Sequence, residues 1–154
     1  MSYLSNYKQH EILDTWNFES NIIPEHIKYL KLNYGKFDIQ TIKMPTNLEV
    51  LEIQENCKLQ NLPESIIILI TKGTYNVILP KLPNSLKILE LGINYNKPLQ
   101  NLPKSLEIFK FGHDYNQLLP KLPRKLQELN FRENQYYSHP LPKLPKSLKK
   151  LELG

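Results

Sequence analysis

The chain has 154 residues, the length of one domain, with 40% hydrophobic and 23% charged residues, as in an ordinary soluble protein. Its longest apolar run, Ile66–Ile70, falls far short of the ~18 residues that span a bilayer, so no membrane partner is expected. A net charge of +5 is compatible with an acidic partner and too modest to assign one.

The first residues, Met1 to Lys8, contain no apolar stretch of the kind a secretory signal requires. Cys57 is the single cysteine, which rules out an internal disulfide, and no Asn-x-Ser/Thr sequon occurs. Together these point to a reducing, cytoplasmic location. Residues 1–15, through Leu4, Tyr7, Ile12 and Leu13, are expected to form a short cap over the first strand.

From Trp16 onward the chain repeats itself. Proline follows Leu, Ile or Met at Pro24, Pro45, Pro63, Pro83, Pro103, Pro123 and Pro145, at spacings of 21, 18, 20, 20, 20 and 22 residues. Three residues after each proline sits Ile27, Leu48, Ile66, Leu86, Leu106, Leu126 or Leu148. Three further on come Leu30, Leu51, Leu69, Leu89, Phe109, Leu129 and Leu151. Two beyond those come Leu32, Ile53, Leu91, Phe111, Phe131 and Leu153, with Thr71 as the polar exception. Eight residues before the proline stands an aromatic (Trp16, Phe37, Tyr75, Tyr95, Tyr115, Tyr137), with Glu55 the exception. Asn or a short polar substitute follows it (Asn17, Asp38, Asn56, Asn76, Asn96, Asn116, Ser138).

The closing Leu-x-Leu has the period of a strand, and proline at the start of each unit blocks helix. A unit of about 20 residues leaves roughly ten for the return path, several of them proline, so the convex side should be extended. Gly35, Gly73, Gly92, Gly112 and Gly154 all lie just past strands, where positive φ is expected. Stacking such units aligns the Leu columns into one core. The expected fold is therefore a β-rich solenoid over residues 16–154: a right-handed coil with one curved parallel sheet of about seven short strands and a non-helical convex side.

Leu86-Lys87-Ile88-Leu89-Glu90-Leu91-Gly92-Ile93-Asn94 has the L-x-x-L-x-L-x-x-N form of leucine-rich repeats. Tyr95-Asn96-Lys97-Pro98-Leu99-Gln100-Asn101-Leu102-Pro103-Lys104-Ser105-Leu106 resembles the FNIP repeat, a leucine-rich-like unit of social amoebae and of giant viruses that infect amoebae. The run Leu119-Pro120-Lys121-Leu122-Pro123 is also similar to the short repeats of secreted bacterial effectors. The recurring aromatic-Asn pair favours FNIP. The unit at 56–63 departs from it by being two residues short, and the one at 131–145 by being two residues long. The resemblance implies a protein-binding module in the cytoplasm, the host's if the source is viral. Several FNIP proteins carry an F-box, which recruits substrates to a ubiquitin ligase. The roughly 15 residues before Trp16 are too few for one, so that role is not expected.

The residues flanking the inward leucines should face the concave side. One such column is Tyr29, Val50, Ile68, Ile88, Ile108, Glu128 and Lys150. The next contains Glu52, Glu90 and Lys110 with Lys31, Ile70, Asn130 and Glu152. An apolar stripe beside alternating charges is the expected partner-binding surface. The last strand, with Leu148, Lys150, Leu151 and Leu153, is the expected edge for a homodimer. The alternative reading is a nucleic-acid or acidic-surface binder that uses the turn lysines Lys81, Lys104, Lys121, Lys143 and Lys146, thickened by Arg124, Lys125, Lys149 and Lys150. The aromatic ladder reads as buried packing, and the Asn ladder as hydrogen bonding of the loops. His113 and Asp114 are adjacent with side chains expected to diverge. His10, His26, His113 and His139 lack metal-ligand spacing, and Cys57 reads as a packed thiol. No catalytic motif is present, so no enzyme activity, cofactor or metal is expected. A segment of a longer array with no function of its own remains a third reading.

Overall fold

The computed structural model describes residues 3–15, 22–33, 42–54 and 56–154. Trp16, Asn17, Gly35, Phe37, Asp38 and Glu55 lie outside them. Each of the seven repeat prolines opens a turn: its carbonyl accepts the amide of the apolar residue three positions on, as in Pro83–Leu86 and Pro103–Leu106, at 3.1–3.3 Å throughout. The chain leaves that turn as a strand. Eight strands form one parallel sheet in sequence order: β1 (Ile12–Asp14), β2 (Tyr29–Leu32), β3 (Val50–Ile53), β4 (Ile68–Thr71), β5 (Ile88–Glu90), β6 (Ile108–Lys110), β7 (Glu128–Asn130) and β8 (Lys150–Glu152). The register holds Leu13, Leu30, Leu51, Leu69, Leu89, Phe109, Leu129 and Leu151 in one column. From Leu30 to Leu129 this column is fully buried and forms the spine of the core.

The count of eight strands exceeds the expected seven because Ile12–Asp14 pairs with β2. This strand has no Leu-Pro turn before it. A 3-10 turn over Gln9–Glu11 delivers it instead, with the Glu11 side chain accepting the Lys8 amide at 2.9 Å.

Beyond the strands the coils are joined side chain to backbone. Asn76 donates its amide to Asn56 Oδ1 (2.5 Å), Asn96 to Asn76 (2.9 Å), Asn116 to Asn96 (2.9 Å) and Ser138 to Asn116 (3.0 Å). A second ladder, which the sequence reading missed, runs through the turns. Ser65, Ser85, Ser105 and Ser147 donate their hydroxyls to the carbonyls of Leu48, Ile66, Leu86 and Leu126 at 2.6–2.7 Å. Its sequence signal is a serine two residues after proline. Thr71, the polar exception in the Leu column, accepts the Gly92 amide at 2.9 Å, as Thr15 accepts that of Asn33. The two-residue insertion in the long unit is held by buried Asn134. Its amide donates to the carbonyls of Gly112 and Tyr115, and its carbonyl accepts from Tyr136 and Tyr137.

The glycines correct an expectation. Only Gly73 has a positive φ (+53°) among the described residues. Gly92 and Gly112 are required for closeness: a Cβ on Gly112 would lie 2.0 Å from the Gly92 carbonyl oxygen, and one on Gly92 would lie 2.7 Å from that of Thr71. The backbones of neighbouring coils touch there.

The return path is extended, with burial repeating every third residue as in a polyproline-type chain of three residues per turn. Leu79 and Leu82 point inward, whereas Ile78, Lys81 and Asn84 point outward. Two coils later Leu119 and Leu122 are inside, with Leu118, Lys121 and Arg124 outside. At the start of the last four return paths the tyrosine rings lie parallel to one another. Tyr75, Tyr95, Tyr115 and Tyr137 succeed one another at centroid distances of 6.2, 6.3 and 6.5 Å with rings within 10° of parallel. Hydrogen-bonded strands are about 4.8 Å apart. Equivalent points are therefore displaced further at the aromatic ladder than at the sheet, so successive coils are rotated relative to one another.

Candidate interaction surface

The sheet face opposite the core carries the column Ile12, Tyr29, Val50, Ile68, Ile88, Ile108, Glu128, Lys150 and beside it Asp14, Lys31, Glu52, Ile70, Glu90, Lys110, Asn130, Glu152. The register is the one expected, but exposure along it is not. Tyr29, Val50 and Ile68 are only 2%, 0% and 8% exposed, so they are not part of an open apolar stripe. They form a second cluster with Ile70, against which Tyr7, Ile12, Ile67 and Ile88 pack. Tyr7 sits edge-on to Tyr29 (5.8 Å) and donates its hydroxyl to Glu49, with burial and Glu49 pushing its pKa up to about 12. Glu52 is buried too: it accepts the Tyr29 hydroxyl at 2.9 Å and pairs with Lys72 at 3.0 Å.

The accessible part of the face lies on β5 to β8. Ile88 and Ile108 are adjacent and half-buried. Alongside them Lys110 pairs with Glu90 at 3.3 Å. Lys150 pairs with Glu128 at 3.4 Å and Glu152 at 3.0 Å, which raises its pKa chiefly through Glu152. Asn130 donates to Glu128 and Glu152. At the sheet edge Lys150, Leu151 and Leu153 are exposed and Leu148 is half-buried.

The aromatic ladder is internal. Tyr75, Tyr95 and Tyr115 are fully buried, and the hydroxyls of Tyr75 and Tyr115 have no hydrogen-bond partner among the described residues. Burial raises all three phenol pKa values, Tyr95 to about 12, where the Leu79 backbone opposes the rise. Cys57 is buried in the main core. His113 and Asp114 do not diverge, contrary to expectation. Nδ1 lies 2.6 Å from Asp114 Oδ1, and this contact is the main reason the His113 pKa is raised. Tyr136 lies edge-on to the imidazole, and no nucleophile adjoins it in the contacts of the described residues. No group of three His, Cys, Asp or Glu able to hold a metal is found among the described residues, and no described helix is long and apolar enough to cross a membrane.

Residues 75–114 match the family model "FNIP Repeat". None of the curated proteins compared matches the chain. Among solved structures, the chain is similar to CroV588, a giant-virus protein described as a novel circular LRR protein, at 28% identity and a TM-score of 0.66. The match covers 86% of this chain and 21% of CroV588, so the chain spans about one fifth of that protein's length. The repeat, the parallel sheet and these likenesses converge: the chain is a leucine-rich-repeat-like solenoid whose residues 75–114 carry the FNIP repeat.

Proposed function

We propose that the protein is a non-enzymatic interaction scaffold that binds a protein partner through the sheet face of β5 to β8. The observation that carries this reading is the pair Ile88 and Ile108. They are adjacent in register and partly open to solvent, and the paired charges Glu90–Lys110 and Lys150–Glu128 flank them. An apolar centre with a charged rim is the usual anatomy of a protein interface. Tyr29, Val50, Ile68 and Glu52 support the face from within. To test this, the unaltered chain and the double variant Ile88→Asp, Ile108→Asp serve as bait on the same lysate. Loss of a specific partner is expected, and an identical captured set would overturn the reading.

The edge strand β8 favours a second contact. Exposed Leu151 and Leu153 on its flank fit pairing with another copy. Sedimentation at high micromolar concentration tests it, and a strictly monomeric mass would refute it.

A further inference from the structure

The outward face of the return segments is a surface of a different kind from the sheet face. Between Ile78 and Lys146, every third residue of each return path points outward. These residues fall into three columns along the stack: one apolar, with Ile78 and Leu118 at 53% and 66% exposure, and two basic, including Lys121, Lys143, Arg124 and Lys146. No acidic residue occupies an outward position there. In earlier coils the corresponding places hold Glu25 and Glu64, each accepting the amide of the next coil (Thr46, Asn84). The cations have no ion-pair or hydrogen-bond partner among the described residues. The excess charge is thus confined to the C-terminal coils, beside an apolar column that the fold leaves uncovered.

We propose that this face docks an acidic amphipathic helix of a partner protein, laid along the stack. The dimensions fit. Coils on this side advance by about the 6.2–6.5 Å of the tyrosine ladder. The apolar column from Ile78 to Pro140 is therefore about 19 Å long, the length of a helix of about 13 residues at 1.5 Å each. The basic column lies three polyproline-type residues away, about 9 Å, close to the ~10 Å diameter of a helix. A helix seated with its apolar stripe on Ile78 and Leu118 brings one flank of carboxylates over Lys121 and Lys143. A nucleic acid would leave the apolar column idle, and the ladder tyrosines Tyr75, Tyr95 and Tyr115 are sealed from bases, while the exposed Tyr136 stands outside the outward columns. A lipid surface would find only two long aliphatic side chains, separated by rigid prolines.

The test uses the full chain and a fluorescently labelled peptide of Glu and Leu with leucines at i, i+3, i+4 and i+7. A scrambled peptide of the same composition, an RNA oligonucleotide and phosphatidylserine vesicles complete the set. Anisotropy should show the patterned peptide binding at least tenfold more tightly than the scrambled one. Ile78→Ser with Leu118→Ser, and separately Lys121→Glu with Lys143→Glu, should each weaken it at least tenfold. Equal binding of the two peptides by the unaltered chain overturns the proposal without recourse to any variant. So does loss on charge reversal alone with the serine pair silent, or tighter binding to RNA or vesicles.

Discussion

Replacing Tyr115 by Phe should stabilise the protein, the reverse of the usual effect of removing a hydroxyl. The ring is fully buried, stacked on Tyr95 at 6.3 Å and on Tyr137 at 6.5 Å, with Phe111 5.0 Å away. Phenylalanine keeps all of those contacts. The hydroxyl is sealed from solvent and has no hydrogen-bond partner among the described residues. An unsatisfied buried polar group costs about 1–3 kcal/mol, so its removal should add about 1 kcal/mol and raise Tm by about 2–4 °C in a protein of this size. The pH dependence gives a second reading. Burial raises the Tyr115 pKa above its ordinary value of 10.0, so the folded state holds a proton that the unfolded state releases. Stability is then complete below pH 10 and falls as pH rises toward the folded value, by up to about 1.4 kcal/mol per unit for each such phenol. Tyr75 and Tyr95 share this sign. Guanidinium titrations at neutral pH and at successively alkaline pH, followed by circular dichroism, should show the variant more stable and its alkaline loss shallower. A variant less stable than the parent by 1 kcal/mol would show that the hydroxyl is bonded, and the reasoning would fail.

Other substitutions probe the ladders. Asn96→Ala removes the acceptor of both the Asn116 amide and the Gln117 side chain and should cost about 1–3 kcal/mol in thermal unfolding while leaving partner capture intact. Lys125→Ser should gain about 0.5–1 kcal/mol, because it gives the Leu106 carbonyl the hydroxyl that Leu48, Ile66, Leu86 and Leu126 already have; no gain would show that the serine ladder is not stabilising. Gly112→Ala drives a Cβ against the Gly92 carbonyl and should cost about 3 kcal/mol or more by chemical denaturation.

The repeat carried most of the architecture in plain sight. A Leu column at fixed offsets from proline sets strand position and register together, since a slip of one residue would turn every leucine outward. The Asn ladder was legible for the same reason. What the repeat could not show was anything set by a contact outside its own period. Strand β1 lacks the Leu-Pro turn that marks the others. The closure over Tyr29, Val50 and Ile68 involves Tyr7, which is bonded to a residue 42 positions away. Gly92 and Gly112 are dictated by the neighbouring coil's backbone, a constraint absent from any single unit. The turn lysines of the return path were legible in the sequence, whereas the apolar column of Ile78 and Leu118 beside them was not, because its inside-outside alternation has a period of three that only the extended return path creates.

The mismatch between tyrosine and strand spacing has a consequence along the stack. Equivalent points move about 1.5 Å further per coil at the ladder than at the sheet, so each coil is rotated relative to the last and the rotation accumulates with every repeat.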